Sequence, residues 1–259
     1  MGDLKIGVVG VGAIGRNHAR VLSEIENAEL VGVFDADAEA ASAIAEAHGT
    51  EACPSLEALA EKVDAVTVAT PTQTHLEVGR FFLERGKQVL VEKPLAASLD
   101  EARLLVEAAQ KNGCVLQVGH IERFNPVLRE LEKDLSNPRF IEAHRLSPFP
   151  NRSMDIGVVL DVMIHDLEII LHLVPSTIES VDAVGVSVLT NREDIANARL
   201  RFANGCVANI TASRVSPEKL RKIRIFQENR YLSLDYQAQE GKIFRKNGLQ
   251  IEQAEVVVE

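Results

Sequence analysis

The chain has 259 residues, 46% of them apolar, a formal charge of −10 and a pI near 5.3. That length exceeds one ordinary domain and the apolar share suffices for a core, so two domains are expected. The acidic balance argues against an electrostatic nucleic-acid footprint, and no signal-peptide pattern or charge-free apolar stretch of membrane-spanning length is present, so the expectation is a cytoplasmic globular protein.

Residues 6–9 form a short apolar run, followed by helical periodicity over 13–25 and a second apolar strand over 30–34. The alternation continues with helices over 38–47 and 56–61, a strand over 65–69, a helix over 75–85, a strand over 88–91, a helix over 100–111 and a strand over 115–118. Strands separated by helices at this rhythm predict an α/β, Rossmann-type doubly wound parallel sheet with right-handed crossovers, occupying residues 1–119. From 120 to 259 the pattern changes to an α+β domain with an open, mainly antiparallel sheet. It has a strand over 141–146, one long helix over 157–173, and β-like runs over 180–189, 198–202, 207–213, 222–227, 231–235 and 242–245. Ala203-Asn204-Gly205 and Glu240-Gly241 read as turns between them. Val159, Val162, Met163, Leu167 and Ile170 are spaced to cover one face of that sheet. Cys53, Cys114 and Cys206 are odd in number and lack metal-ligand spacing, which predicts reduced thiols packed as small core residues and no metal.

Gly10-Val11-Gly12-Ala13-Ile14-Gly15 places a G-x-G-x-x-G pattern between a strand and a helix, the context that makes it a dinucleotide fingerprint. Gly10 permits the tight turn, Gly12 lets the backbone approach a pyrophosphate, and Gly15 lets helix and strand pack closely. Asp35 ends the second strand about 20 residues later, where a carboxylate accepts from ribose hydroxyls and repels a 2′-phosphate, favouring NAD over NADP. Its alternative is a turn aspartate, although Asp37 is the better helix cap. Thr70-Pro71-Thr72-Gln73-Thr74-His75 follows the 65–69 strand. Thr72 is there either as an N-cap and His75 as a partly exposed first-turn residue, or both contact the nicotinamide ribose. Lys93, in Glu92-Lys93-Pro94, follows the 88–91 strand. At that end of a parallel strand it points to the ligand crevice, and a positive nicotinamide beside it would lower its pKa toward an acid/base range; the alternative is a solvated lysine before a proline turn.

Taken together, Gly10 to Gly15, Ala69-Thr70-Pro71 with His75, Glu92-Lys93-Pro94, and Asp161-Val162-Met163-Ile164-His165 resemble the Gfo/Idh/MocA family (glucose–fructose oxidoreductase, inositol dehydrogenase, rhizopine catabolism) over nearly the whole chain. The resemblance implies a Rossmann domain followed by an open sheet that carries the substrate surface and often mediates dimers or tetramers. It implies that Lys93 lies beside substrate and nicotinamide, often with a cis peptide before Pro94, and that Asp161 and His165 are the family's aspartate and histidine. Positions i and i+4 share a helical face, so Asp161 and His165 can point into one cleft. His165 has the right unperturbed pKa to take a hydroxyl proton; Lys93 polarises the oxygen or is itself the base, and Asp161 binds a hydroxyl or orients its partners.

A narrower resemblance, carried by Val118-Gly119-His120-Ile121-Glu122-Arg123-Phe124-Asn125-Pro126, is to the subgroup that oxidises nucleotide-linked amino sugars, in particular UDP-N-acetylglucosamine 3-dehydrogenases acting before an aminotransferase. It implies substrate contacts from His120, Arg123 and Asn125, while Asn125 and Pro126 also suit an N-cap and first helical position. Other readings remain: an inositol or free-sugar dehydrogenase, or a catalytically silent NAD-binding regulator. Family members extend past the final strands with helices that pack back. Ending at Val256-Val257-Val258-Glu259, this chain is expected to be a short variant or a truncation with an uncovered apolar surface.

Overall fold

The computed structural model describes residues 3–149, 156–248 and 250–256, which leaves Val257 to Glu259 outside the described residues. The chain divides after Gly119 into two compact units. In the first, β1 (Leu4–Val9), α1 (Gly15–Glu24), β2 (Ala28–Phe34), α2 (Ala38–His48), α3 (Leu56–Ala60) and β3 (Ala65–Val68) come in order. They are followed by α4 (His75–Leu83), β4 (Gln88–Val91), α5 (Leu99–Asn112) and β5 (Leu116–Val118). The strands pair in parallel in the order β2-β1-β3-β4-β5. The chain thus winds outward in both directions from β1, and the gap between the first turns after β1 and β3 is the switch point where such sheets bind ligands. Local chemistry fixes the helix ends. Asp37 accepts from the Glu39 and Ala40 amides, Ser55 from Ala58 and Ser98 from Glu101, while Gly49 and Gly113 close α2 and α5 in the left-handed region. Val8, Val33, Val66, Val68, Val89 and Val91 are buried. Such continuous apolar strands are what a sheet covered on both faces demands.

The second unit contains α6 (Pro126–Glu132), β6 (Phe140–Leu146), α7 (Ile164–Leu173), β7 (Ile178–Val186), β8 (Ile195–Phe202), β9 (Val207–Ser213), β10 (Leu220–Gln227), β11 (Arg230–Asp235), β12 (Glu240–Asn247) and β13 (Gln250–Val256). Its eight strands pair in the order β13-β12-β11-β10-β6-β9-β8-β7, antiparallel except for β6 with β9. Inward rows such as Ile141 and Ala143, or Ala196, Ala198 and Leu200, alternate with outward polar residues. The helices cover that inward face, with Met163, Ile169 and Ile170 in the core and Val159, Val162 and Leu167 packed at its margin. The opposite face carries a row of rings from four strands, Phe140, Phe226, Tyr231 and Phe244, with Tyr231 and Phe244 stacked at 4.2 Å. Along β7 every residue is exposed, and between β7 and α7 runs an apolar groove of about 730 Å³ lined by Leu167, Leu171, Ile178 and Val181.

Four expectations need correction. The 157–173 segment is not one α-helix: Val159–Met163 is a π-helical turn that leads into α7. The seventh strand stops at Val186, because the amides of Val188, Leu189 and Thr190 turn onto the Asp194 carboxylate. Glu240 and Gly241 begin β12; the turn lies before them, where Asp235 accepts from the Gln237 and Ala238 amides and Gln239 takes φ +54°. Cys53 and Cys206 are buried, but Cys114 is only half-buried.

Candidate functional site

In the first unit the chain leaves β1 through Gly10, whose φ of +85° and whose lack of a Cβ are both required: a methyl there would stand 2.8 Å from the Thr70 amide nitrogen. At Gly15 a Cβ would stand 1.7 Å from the Gly10 carbonyl oxygen, so that glycine lets α1 begin directly over the turn. Gly12 is different. Nothing lies within 4 Å of the position its Cβ would take. This open cradle at the start of α1, with Ala13 and Ile14 completing the turn, fits the close backbone approach of a pyrophosphate. Asp35, at the end of β2, accepts from the Val11 amide at 2.7 Å through one oxygen and from the Asp37 amide at 2.9 Å through the other. It therefore braces the glycine turn as well as standing where a ribose is expected.

The residues after β3 and β4 are tied together. Thr72 to Thr74 form one 3₁₀ turn, and α4 begins only at His75 with no side-chain cap, so Thr72 is not the cap of that helix. His75 is 1% exposed rather than partly exposed. Its Nδ1 lies 2.9 Å from the Pro94 carbonyl oxygen and its Nε2 2.9 Å from that of Thr70, so the ring links the Thr70-Pro71 turn to the segment after Lys93. The Lys93–Pro94 peptide is cis. Glu92 accepts from His18 Nε2 on α1 at 2.9 Å and from the Lys93 amide at 3.1 Å. Burial pushes the Glu92 carboxyl up, but the His18 hydrogen bond and charge, with Lys93 behind them, hold it below the ordinary value. Gly119 packs against the same carboxylate, and a Cβ there would stand 2.9 Å from Oε1. The sequence reading missed His18; its place one turn into α1 after the glycine pattern is the signal that could have found it.

In the second unit, Ile121–Phe124 form a 3₁₀ turn that His120 precedes, and Asn125 caps α6 by accepting from the Val127 and Leu128 amides ahead of Pro126 at the first position. Arg123 pairs with Glu168 of α7 at 2.5 Å, its side chain still 44% exposed. Asp161 sits in the π turn and His165 in the first turn of α7. Arg145 connects these parts. Its Nε and Nη2 donate to the two oxygens of Asp166, at 2.9 and 3.0 Å, and its Nη1 donates to Glu122 at 3.1 Å. Burial opposes the charge on Arg145, yet Asp166 and Glu122 outweigh it and raise the guanidinium pKa above its ordinary value.

A second buried pair seats the start of the π turn. Arg214 donates to Asp194 at 2.9 Å, to Thr190 Oγ1 at 3.0 Å and to the Ile156 carbonyl at 2.8 Å. Burial pushes the Asp194 carboxyl up, but three backbone amides and the Thr190 hydroxyl hold it well below the ordinary carboxylate range. The sequence reading missed Arg145, Asp194 and Arg214 as well. Each continues an inward row, Ile141-Ala143-Arg145, Asp194-Ala196-Ala198 and Ile210-Ala212-Arg214, and a charge on an apolar row announces a buried partner.

Residues 4–120 match the family model described as "Oxidoreductase family, NAD-binding Rossmann fold", and residues 131–233 match the GFO/IDH/MocA C-terminal domain. A UDP-N-acetylglucosamine 3-dehydrogenase from Acidithiobacillus ferrooxidans is 43% identical over 234 residues, 90% of this chain and 74% of that protein. A scyllo-inositol 2-dehydrogenase (NAD(+)) from Bacillus subtilis is 30% identical over 235 residues, 83% of this chain and 68% of that protein. The solved structure of the Acidithiobacillus ferrooxidans enzyme matches with a TM-score of 0.94 at 39% identity, covering 100% of this chain and 84% of that one.

Proposed function

The chain belongs to the Gfo/Idh/MocA family of NAD-binding oxidoreductases, and on that premise we propose that it oxidises the 3-hydroxyl of UDP-N-acetylglucosamine. The observation that carries this reading is the 43% identity to a UDP-N-acetylglucosamine 3-dehydrogenase over 90% of the chain, set beside the intact Lys93, Asp161 and His165. Residues 1–119 serve as the cofactor domain and 120–259 as the substrate domain. Gly10, Gly12, Ala13, Ile14, Gly15, Asp35, Thr70, Pro71, Thr72 and Glu92 hold the cofactor, with His75 shaping the turn they form. When bound, NAD supplies the acceptor for the two electrons of the oxidation.

The chain's own residues manage the proton and the orientation. His165 takes the hydroxyl proton. Lys93 has the charge to polarise a substrate oxygen as negative charge gathers on it. Asp161 holds a neighbouring hydroxyl or orients His165. His120, Arg123 and Asn125 contact the sugar nucleotide; Arg123 has the exposure to do so while keeping Glu168 as partner, whereas the Asn125 carbonyl oxygen is already engaged as a cap. The same reading makes this a cytoplasmic homo-oligomer whose keto sugar passes to an aminotransferase.

Purified protein incubated with NAD, UDP-N-acetylglucosamine, glutamate and a sugar aminotransferase should yield a 3-amino sugar nucleotide, detected by mass spectrometry. Absence of that product with NAD binding intact overturns the substrate assignment. Turnover of inositols instead would favour the reading suggested by the Bacillus subtilis relative. No turnover of any polyol would leave an NAD-binding regulator.

A further inference from the structure

We propose that Arg145 is a positioning residue: it sets the register between the His120 to Asn125 segment and the helix that carries Asp161 and His165. The effect on turnover rests on the function proposed above; the effect on the two segments does not.

The argument begins with the strand. Ile141, Ala143 and Arg145 alternate onto the inward face of β6, at 0%, 0% and 3% exposure, so the guanidinium enters the core at the end of an apolar row. All three of its nitrogens are used in the plane of the group, two on Asp166 and one on Glu122. The Tyr236 ring stands 5.3 Å from Cζ on another side. Lysine has one nitrogen and no fixed fork, so it cannot hold both carboxylates in this geometry.

The partners decide what the cluster does. Asp166 is the neighbour of His165, and Glu122 lies between His120 and Arg123. A single planar group therefore fixes both candidate substrate elements at once, and the Arg123–Glu168 pair forms a second, more exposed tie between the same elements. Stability alone would not call for charge here, since apolar replacements of buried ion pairs often equal or exceed them. Orientation would, because a displacement of about 1 Å in a reacting group costs about 100-fold in rate.

Two variants test the assignment, Arg145→Lys and the neutral, apolar triple Glu122→Met, Arg145→Met, Asp166→Leu. Both are followed by melting, amide hydrogen exchange, NAD affinity and steady-state kinetics with UDP-N-acetylglucosamine. In the lysine variant, peptides 120–125 and 161–168 should exchange about tenfold faster together while β8 and β9 keep their protection, and kcat should fall about 100-fold with the NAD Kd within about twofold. The neutral triple should melt like the parent or higher and still show the fast exchange and low kcat. Recovery of kcat and protection in the triple, or parental exchange in the lysine variant, would reduce Arg145 to a stabilising residue and overturn the proposal. If the lysine variant does not fold, the triple decides. A parent protein inactive on UDP-N-acetylglucosamine would sink the substrate assignment alone, and the exchange data would still judge Arg145.

Discussion

The two units bury polar groups in different ways. In the described residues of the first, the buried polar side chains are Thr67 and His75, and the candidate cofactor turn is built from glycines, backbone amides and one half-buried carboxylate. In the second, Arg145, Asp166, Asp194, Ser213, Arg214, Gln227 and Ser233 are all buried. Arg145, Asp194 and Arg214 gather at one end of the sheet, where β6 and β9 finish and β8 begins. Main-chain amides can receive the phosphates of a dinucleotide, and the first unit carries its Glu92–His18 pair at the edge of its core rather than inside it. The second holds helical segments and turns of little regular structure in place with buried ion pairs, which makes its surface dependent on charge balance.

Breaking a buried pair should give the largest effect. Arg214→Met leaves Asp194 in the core without its cation and should cost about 3–5 kcal/mol in urea unfolding. A loss below about 1 kcal/mol would show that the amides around Asp194 carry it unaided. In the first unit the sensitive position is steric. Gly15→Ala should destabilise by about 1–3 kcal/mol and abolish NAD binding measured by calorimetry, since its methyl meets the Gly10 carbonyl.

Acid should act on both units next. Asp194 and Glu92 both have depressed folded pKa values, so each contributes stability that is complete above its ordinary value, 3.8 or 4.5, and is lost as pH falls through the folded value. Asp194→Asn should flatten the acid limb of the stability profile below about pH 4 and leave the neutral plateau lowered. An unchanged limb would mean that other carboxylates set it. The smallest effect belongs to an exposed pair: Arg20→Ala, removing the contact with Glu24 on α1, should change stability by no more than about 0.5 kcal/mol.

Much of this molecule was legible from its residues. The periodicities of the first unit and the glycine pattern located its strands and the turn after β1, and Asn125-Pro126 was readable as a helix start. The π turn at Val159–Met163 was not, because its apolar spacing is equally that of an α-helix. His75 and Asp35 show a second limit. Sequence placed both near a ligand, yet their partners are main-chain atoms of Pro94, Thr70 and Val11, and main-chain partners leave no mark on residue type. β13 escaped because its residues, Gln250 to Glu255, are exposed and show no buried alternation. The inward arginines were written in the rows they interrupt, but only the fold names the carboxylates that meet them.

Asp35 has a consequence for anyone redesigning cofactor preference. Exchanging an acidic residue at the end of β2 for a small or basic one is the natural way to admit a 2′-phosphate. Here the same carboxylate holds the Val11 amide at 2.7 Å and so shapes the glycine turn itself. With Asp35 as the proposed ribose acceptor, selectivity and preorganisation would share one side chain, and a replacement must restore an acceptor for Val11, as the isosteric Asn can, or lose affinity for both dinucleotides together.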